Sequence, residues 1–540
     1  MFIDDIRQDF YNVLLGHRVL LLVHYDVDAI CTCKILQDLF KCDNVSYTLV
    51  PVGGISELKT AYEENCEEIK YVVLINCGGT IDLVDILQPE EDVVFFVLDS
   101  HKPTDVCNVY SDGQVRLVHR DNEENIPDFD DIFRDDEEEN EEEEPEGGRE
   151  ALEAAVERRR ARRAWEERRH TLMFNYTQFS YYGKPSACVL LELCHVASRC
   201  GVAALWAASV AAVAARAQAQ RAPAACLLDA DTLHRLVAGL RRTGGDDTQA
   251  RLALEKEAWL PLYRVWSLEA ALKHSPLVGP HLKMHTLAGA NKLRQLLADM
   301  GFPLQQARQA YRSMDVELRR SLITALETSA PKHKLPTPVE ATFLLYRPHS
   351  PPLPALDVTY AILGLIEHQT LPPAEGFQHA LSALDILPGC CESRRLGFAS
   401  AQAALQGVAR LVHSTLTSRG LHLAGPFSYF IVQEGTPEAE LVKGPHWLGV
   451  ATRWLSAAGG GTRPLLGAAP AAGPERGRSL LLGLPPRADH EPRNLFGAAF
   501  EQAAAKSGVS VSIDYIDSSV ITLPTSQRTQ FLDALTALLA

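Results

Sequence analysis

The sequence lacks the signatures of several enzyme and binding classes. It contains no GxxxxGK(S/T) phosphate loop, which excludes a P-loop ATPase. No CxxC pair occurs among its 12 cysteines, and their irregular spacing does not match a zinc knuckle or ribbon. Reduced, buried cysteines of an intracellular protein fit this spacing better. No apolar run reaches the roughly 20 residues of a membrane span, so the most apolar segment, 202–215, predicts a packed helix.

The sequence also contains fewer basic than acidic residues. The 540 residues include 52 Lys and Arg against 69 Asp and Glu, which gives a formal net charge of −17. This balance argues against a protein that coats duplex DNA by neutralising phosphates, although it permits a local basic channel. The N-terminus lacks the basic start and apolar core of a signal peptide. With 46% hydrophobic residues, the chain can form two or three hydrophobic cores.

The first third of the sequence alternates between strand and helix patterns. Continuous apolar runs predict buried strands, and amphipathic segments between them predict helices. This alternation is typical of a doubly wound α/β domain, whose parallel sheet is covered on both faces. The predicted strands lie at 19–24, 47–52, 71–75 and 93–98.

Two charged segments interrupt this domain. Residues 128–148 are strongly acidic, and such a run repels itself, so we expect a disordered insertion. It acts either as a solvated loop or as an electrostatic lure for basic partners. Residues 149–170 predict an exposed helix whose arginines pair with its own glutamates. The same helix carries a basic cluster of the kind that directs nuclear import, formed by Arg158, Arg159, Arg160, Arg162 and Arg163.

The remaining sequence predicts two further regions. Helical spacing dominates residues 229–396, which we predict to be a mainly helical inter-domain region. Short strands and helices in 397–540 predict a smaller α/β domain, which leaves 1–228 as the first domain. Within the last region, the Gly-, Ala- and Pro-rich segment 459–477 predicts a mobile loop.

Polar residues at two strand ends form the candidate site. Asp26 and Asp28 follow the first predicted strand, and Asp99 and His101 follow the fourth. Ligands of an open parallel sheet bind beyond the carboxyl ends of its strands, so we expect these side chains to converge. Carboxylate and imidazole ligands suit Mn²⁺ or Mg²⁺, and two such ions clamp a phosphodiester. A simpler interpretation is that Asp26 and Asp28 cap the helix that begins near Ala29.

These strand ends resemble the DHH phosphoesterases, the group that contains RecJ nucleases. The first pair looks like their first motif, and Asp99-Ser100-His101 lies where they have an Asp-His-His signature. The resemblance implies two further aspartates, but Asn76 occupies the place of one, and region 205–217 contains no acid. Four ligands are too few for two cations. We therefore predict a decayed site with no catalytic residue, no metal and no cofactor, residual binding of a single metal being a minor alternative.

Further motifs resemble the cell division control protein 45 family, a non-catalytic branch of that superfamily. They occur in the same order over nearly the whole chain, although segments 202–225 and 459–478 are richer in Ala and Gly than the family pattern. The resemblance implies a DHH-like α/β domain, a helical insertion and a DHHA1-like C-terminal domain. The motifs include YTLVPV at 47–52, DIFRD at 131–135, LADMGFPL at 297–304, EGTP at 434–437 and NLFGAAF at 494–500.

The resemblance also implies a function and partners. Members of the family join the MCM ring ATPase and the GINS complex in the replicative helicase of the nucleus, with polymerase and loading factors nearby. They serve as scaffolds in initiation and elongation of chromosomal DNA replication and associate with chromatin, and no membrane partner is implied. The alternatives are a Mn-dependent exonuclease or phosphodiesterase, and a regulatory module that binds a small nucleotide in the cleft.

Binding of single-stranded DNA has only diffuse support in the sequence. Single-strand grooves combine basic residues with aromatic stacking platforms. Surface arginines and core aromatics explain the available residues more simply, and no DNA-contacting residue is assigned. The residues in question are Arg453, Trp454, Arg487, Arg493 and Phe496.

Overall fold

A parallel sheet forms the N-terminal part of the molecule. The computed structural model describes residues 1–111, 113–121, 124–133, 149–242, 250–386, 391–471, 477–487, 490 and 492–540. The strands of this part are β1 (Val19–His24), β2 (Tyr47–Val52), β3 (Tyr71–Ile75), β4 (Val94–Leu98), β5 (His101–Lys102), β6 (Val115–Leu117) and β7 (Tyr181–Tyr182). One sheet has the order β2-β1-β3-β4-β6, and its neighbouring strands are all parallel. β5 and β7 form a separate antiparallel pair.

Helices pack on both faces of the parallel sheet. The helices of this part of the chain are α1 (Asn12–Leu14), α2 (Val27–Asp43), α3 (Ile55–Asn65), α4 (Leu83–Leu87), α5 (Val106–Val109), α6 (Phe129–Ile132), α7 (Arg149–Thr177), α8 (Ser186–Val196), α9 (Val202–Ala217) and α10 (Pro223–Arg242). Side chains of β1 alternate between the two faces of the sheet. Leu21 and Val23 pack with α2, α8 and α9, whereas Leu20 and Leu22 pack with α3 and α4. The predicted doubly wound α/β fold is confirmed.

The acidic and Arg-rich segments meet at α6 and α7. Most of the predicted acidic insertion, residues 134–148, lies outside the described residues. Its first residues form α6, where the Phe129 ring meets the Tyr110 ring edge-on with 5.4 Å between centroids. The indole Nε1 of Trp165 in α7 donates a hydrogen bond to the carbonyl oxygen of Asp130 at 3.1 Å. The start of the acidic segment is therefore attached to the Arg-rich helix.

The middle of the chain contains a sheet that periodicity did not predict. Its strands β8 (Arg251–Ala258), β9 (Val339–Arg347) and β10 (Ser350–Pro354) are antiparallel, in the order β10-β9-β8. The helices here are α11 (Leu268–His274), α12 (Val278–Leu282), α13 (Leu287–Asp299), α14 (Leu304–Arg308), α15 (Val316–Ser329), α16 (Ala355–Ile366), α17 (Pro373–Ala383) and α18 (Cys391–Thr417). The division of the chain at 228 and 396 stays a prediction.

A second α/β layer closes the chain. Its elements are β11 (Leu421–Ala424), β12 (Phe427–Ile431), α19 (Pro437–Leu441), α20 (Pro445–Ala458), β13 (Leu465–Pro470), β14 (Arg478–Leu484), α21 (Phe496–Ser507), β15 (Val520–Pro524) and α22 (Arg528–Leu539). The sheet order is β11-β12-β13-β14-β15.

The predicted mobile loop at 459–477 is wrong for its central residues, which form the middle strand β13. Small residues are needed there because α20 and β12 lie close to this strand. A Cβ at Gly467 would stand 2.6 Å from the hydroxyl oxygen of Thr452 and 3.1 Å from the Phe430 ring. The Gly- and Ala-rich composition therefore reflects tight packing in β13, whereas residues 472–476 lie outside the described residues.

Asp357 on α16 is a buried carboxyl group whose ionisation should affect stability. The residue is 2% exposed, and its Oδ1 accepts a hydrogen bond from the backbone N–H of Leu262 at 2.7 Å. Burial raises the pKa of Asp357 to about 7, against the attraction of Arg264 and with a small contribution from Glu257. The folded protein therefore keeps a proton that the unfolded chain releases near pH 4, and stability falls as pH rises between these values.

We expect Asp357→Asn to stabilise the protein by about 2 kcal/mol or more at pH 8 and to change little at pH 4, since the amide oxygen keeps the Leu262 hydrogen bond. Urea unfolding at both pH values measures the difference. Glu64→Gln, a change of an exposed carboxylate on α3, serves as the control. Equal stability of the Asp357→Asn and native proteins at pH 8 would contradict the expected ionisation.

Candidate functional site

Three neighbouring strands end at the same edge of the parallel sheet and define the site. Asp26 and Asp28 follow β1, Asn76 follows β3, and Asp99 and His101 follow β4. A cleft of about 350 Å³ opens at this edge. The predicted convergence is observed, with one difference: Asp26, Asp28 and His101 line the cleft, whereas Asp99 lies behind His101.

The side-chain amide of Asn76 lies between the two carboxylates that follow β1. Its Nδ2 is 3.0 Å from Oδ2 of Asp28, and 3.2 and 3.3 Å from the two carboxylate oxygens of Asp26. Its Oδ1 accepts hydrogen bonds from the Ser186 hydroxyl at 2.6 Å and from the Ser100 backbone N–H at 3.3 Å. Because a backbone N–H can only donate, it fixes which end of the amide faces the carboxylates.

The backbone of Asn76 also suits its side chain. The residue is 1% exposed and has a φ of 52°, in the left-handed region. Asn, Asp and His accept this conformation more readily than other residues with a Cβ. The turn out of β3 therefore places a short polar side chain against the tip of β1.

Asp28 is held from its other side by α8. The backbone N–H groups of Ser186 and Ala187 donate to its carboxylate oxygens at 2.8 and 3.0 Å. These groups begin a helix, where unpaired N–H donors and the helix dipole favour a negative charge. Burial nevertheless raises the pKa of Asp28.

Asp26 caps α2. Its Oδ1 accepts a hydrogen bond from the backbone N–H of Ala29 at 2.6 Å, as the simpler sequence interpretation predicted. Asp28 lies in the first turn of the same helix without capping it. Burial and the neighbouring Asp28 raise the pKa of Asp26 to about 6.

Asp99 and His101 are hydrogen-bonded to each other. Oδ1 of Asp99 lies 2.7 Å from Nδ1 of His101 and accepts its backbone N–H at 2.9 Å, while Oδ2 accepts the Gly79 N–H at 2.8 Å. Burial alone lowers the pKa of His101, but the Asp99 carboxylate raises it to about 9. Gly79 must remain small, because a Cβ there would stand 2.8 Å from the Asp99 Cβ.

These contacts do not fit a pair of divalent cations. Metal ions would compete for carboxylate oxygens that already accept hydrogen bonds from Asn76, from the start of α8 and from Gly79. In the part of the chain that the structure describes, no group of three or more His, Cys, Asp or Glu side chains is placed to hold a metal ion. Helix α9, the region where the resemblance implied another aspartate, contributes Ala211 and Ala214 to the cleft.

The C-terminal layer forms the opposite wall of the cleft and is bonded to the first wall. Asp514 accepts hydrogen bonds from the backbone N–H groups of Ile55 and Ser56, both at 2.7 Å. Nε2 of His446 lies 2.7 Å from the carbonyl oxygen of Tyr25. Two more contacts join the walls, the hydroxyl of Tyr182 to Asp517 at 3.0 Å and the reciprocal backbone pair of Ser180 and Asn494. No local sequence pattern signals such contacts, because their partners are hundreds of residues apart.

Of the other residues singled out in the sequence, Arg453 lines the cleft. Trp454 and Phe496 are 2% and 0% exposed, so they offer no surface on which bases could stack. Arg493 lies over the Tyr181 ring, 5.7 Å from its centroid, and Arg487 is exposed. The five arginines of the basic cluster are exposed on α7, where Arg162 pairs with Glu166 at 3.0 Å. They are Arg158, Arg159, Arg160, Arg162 and Arg163.

Comparison with known proteins identifies the family. The family model for CDC45 matches residues 19–154, 119–375 and 373–538. The chain belongs to the CDC45 family. It is 37% identical over 568 residues to the cell division control protein 45 homolog of Mus musculus and 36% identical to that of Homo sapiens, and each alignment covers 100% of both chains. The predicted resemblance is confirmed.

A solved structure shows the same fold. The crystal structure of CDC45 from Entamoeba histolytica matches with a TM-score of 0.72 at 18% identity, and the match covers 99% of each chain. Membership of the CDC45 family supports a role in DNA replication, and the names of the curated relatives denote cell division control without a catalytic activity. Across the described ranges, no helix is both long and apolar enough to cross a membrane.

Proposed function

We propose that this CDC45-family chain is a non-catalytic scaffold subunit of the eukaryotic replicative helicase. It joins the MCM ring ATPase and the GINS complex in the nucleus, contacts replicative polymerase and loading factors, and is required for initiation and elongation of chromosomal DNA replication. The basic cluster on α7 serves nuclear import. The proposed role includes weak binding of single-stranded DNA, to which no residue is assigned.

The position of Asn76 carries the non-catalytic part of this proposal. Two-metal phosphodiester hydrolysis needs carboxylates that face each other across the cations. Here a neutral amide donates to both Asp26 and Asp28 and occupies that space. The bonds between the two cleft walls further support a structural role, because they attach the C-terminal layer to the sheet beside these strand tips.

We expect the purified protein to leave labelled single-stranded DNA intact in the presence of Mn²⁺. The matched control is Asp26→Ala, which removes a carboxylate that any hydrolytic mechanism at this site would use. Gel electrophoresis of the label measures cleavage. Degradation by the native protein that disappears in Asp26→Ala would establish the alternative, a Mn-dependent exonuclease, in place of the scaffold.

Affinity purification from nuclei with mass spectrometry tests the scaffold itself. We expect recovery of the MCM subunits together with GINS, and we expect Asp26→Ala to recover them equally, because the strand tips are not assigned to either interface. Recovery of neither complex from replicating cells would overturn the proposed assembly.

A further inference from the structure

Among the side chains that the structure describes, one cation that lines the cleft has no partner. Arg453 projects from α20 and lines the cleft, yet among the described residues it makes no hydrogen bond, ion pair or ring contact. The other Asp, Glu, Lys and Arg side chains that line the cleft are engaged: Asp26 and Asp28 with Asn76, Glu57 with the Gly53 N–H, Lys102 with Glu124, Arg221 with Asp229, Glu367 with the His446 N–H, Lys443 with Glu440 and Asp517 with Tyr182.

The surroundings of Arg453 leave its guanidinium open to the cleft. A Cβ at Gly449, one turn earlier on α20, would stand 3.3 and 3.4 Å from its two terminal nitrogens, so the guanidinium lies along its own helix over a glycine. The titratable groups that act electrostatically on it are the phenols of Tyr360 and Tyr182 and the guanidinium of Arg487, and no carboxylate is among them. Burial lowers the pKa of Arg453.

The start of α20 does not supply the missing anion. Glu367 accepts the backbone N–H groups of His446 and Trp447 at 2.7 and 3.0 Å, so its carboxylate is bound to the end of this helix. A partly buried cation without a counterion is unfavourable, and an anion that enters the cleft removes this cost. The unpaired guanidinium is therefore a ready binding group.

We propose that the cleft binds a small organic phosphate of nucleotide size, with Arg453 as its phosphate anchor. A guanidinium offers a planar fork of donors that matches two phosphate oxygens. The cleft volume of about 350 Å³ lies within the range of small-molecule sites. The rings of Tyr25, Tyr181 and Tyr515 also line the cleft and supply flat surfaces for the organic part.

This binding activity is independent of the proposed scaffold role. The cleft walls approach each other through backbone contacts such as that of Gly54 with Tyr515, so a bound ligand would bridge them. We expect it to stabilise the closed arrangement by mass action, because it binds only when both walls are folded together. A protein that does not assemble with the helicase subunits can still bind the organic phosphate, and a protein that does not bind it can still assemble.

Isothermal titration of the full-length protein with adenosine monophosphate, inorganic phosphate and adenosine tests the proposal. We expect the monophosphate to bind, inorganic phosphate to bind more weakly and adenosine not to bind measurably. Arg453→Gln should weaken binding of the monophosphate by about 10- to 100-fold, since a hydrogen-bonded charge is lost. The control is Arg235→Gln, which changes an arginine with 74% side-chain exposure on α10 and should leave binding unchanged.

Thermal unfolding separates an anchoring role from a packing role. Without ligand, Arg453→Gln should be as stable as the native protein or more stable, because no partner of Arg453 is lost. Gly449→Ala provides a second variant, in which a methyl group crowds the guanidinium without removing it, and binding should weaken there too. Absence of binding by the native protein at millimolar monophosphate, equal binding of inorganic phosphate and monophosphate, or full binding by Arg453→Gln would each overturn the proposal.

Discussion

Replacing Lys102 by methionine is expected to destabilise the protein by about 3–5 kcal/mol. Nζ of Lys102 donates to Oε2 of Glu124 and to the hydroxyl of Thr104, both at 2.8 Å. The Lys102 and Glu124 side chains are only 5% and 1% exposed. Glu124 also accepts the Thr104 N–H at 2.6 Å and the Tyr176 hydroxyl at 2.8 Å, so the network joins β5 to the C-terminal end of α7.

The cost arises because the partner of Lys102 stays behind. Burial by itself raises the pKa of Glu124, and Lys102 is the group that holds that pKa below its ordinary value. Without the ammonium group, the carboxylate must remain charged in a poorly solvated place or take up a proton. The variant should therefore recover part of its stability as pH falls and Glu124 becomes neutral.

A second lysine pair gives a matched control. Lys256 and Glu327 are also 2.8 Å apart, but their side chains are 68% and 51% exposed. Lys256→Met should cost less than about 1 kcal/mol, because solvent screens an exposed pair. Urea unfolding measures the free energy of unfolding of both variants, whose ion pairs have the same length but differ in burial. Equal losses of stability would show that the Lys102 network contributes no more than a surface ion pair. Adding Glu124→Gln to Lys102→Met should restore part of the loss.

The sequence pattern predicted the strands of the parallel sheet because each strand is marked by an apolar run within its own residues. The apolar runs at β1, β2 and β3 match the observed strands residue for residue. β1 and β3 are buried under helices that pack on the sheet, whereas β2 is an edge strand that is mostly half-buried. β8 was missed for the opposite reason. Its sequence RLALEKEA combines good helix formers with alternating charge, and its strand conformation depends on pairing with β9, more than eighty residues away.

The candidate site shows the same division between local and distant information. Asp26, Asp28, Asp99 and His101 were found because they end strands of one parallel sheet. The role of Asn76 was missed, although the sequence marked it as the place where an acid was expected. Its amide is oriented by Ser100 and Ser186, which lie 24 and 110 residues away. Only the assembled sheet and α8 bring these groups together.

Asn76→Asp is expected to destabilise the protein by about 3 kcal/mol or more when no divalent cation is present. The change adds a third carboxylate beside Asp26 and Asp28 and replaces two hydrogen-bond donations by repulsion between like charges. Backbone strain does not contribute, since Asp and Asn both tolerate a φ near 52°. Urea unfolding in the presence of a chelator measures the loss.

Addition of Mn²⁺ should reverse this loss, because three converging carboxylates form a cation site that the native residues do not. At a free Mn²⁺ concentration one hundred times its dissociation constant, the recovered stability is about 2.7 kcal/mol. The native protein should show no such dependence. A variant of unchanged stability without metal would contradict the assigned position of the Asn76 amide.

The exchange variant Asp26→Asn with Asn76→Asp separates charge from shape. It restores one amide and two carboxylates at the strand tips, and an amide at position 26 still offers an oxygen to the Ala29 N–H at the start of α2. Its stability without metal should therefore lie closer to that of the native protein than to that of Asn76→Asp, and Mn²⁺ should have little effect on it. If the exchange variant is as unstable as Asn76→Asp, the native arrangement depends on the particular geometry of Asn76 with Ser100 and Ser186, and the number of carboxylates at the strand tips does not explain the stability of the native site.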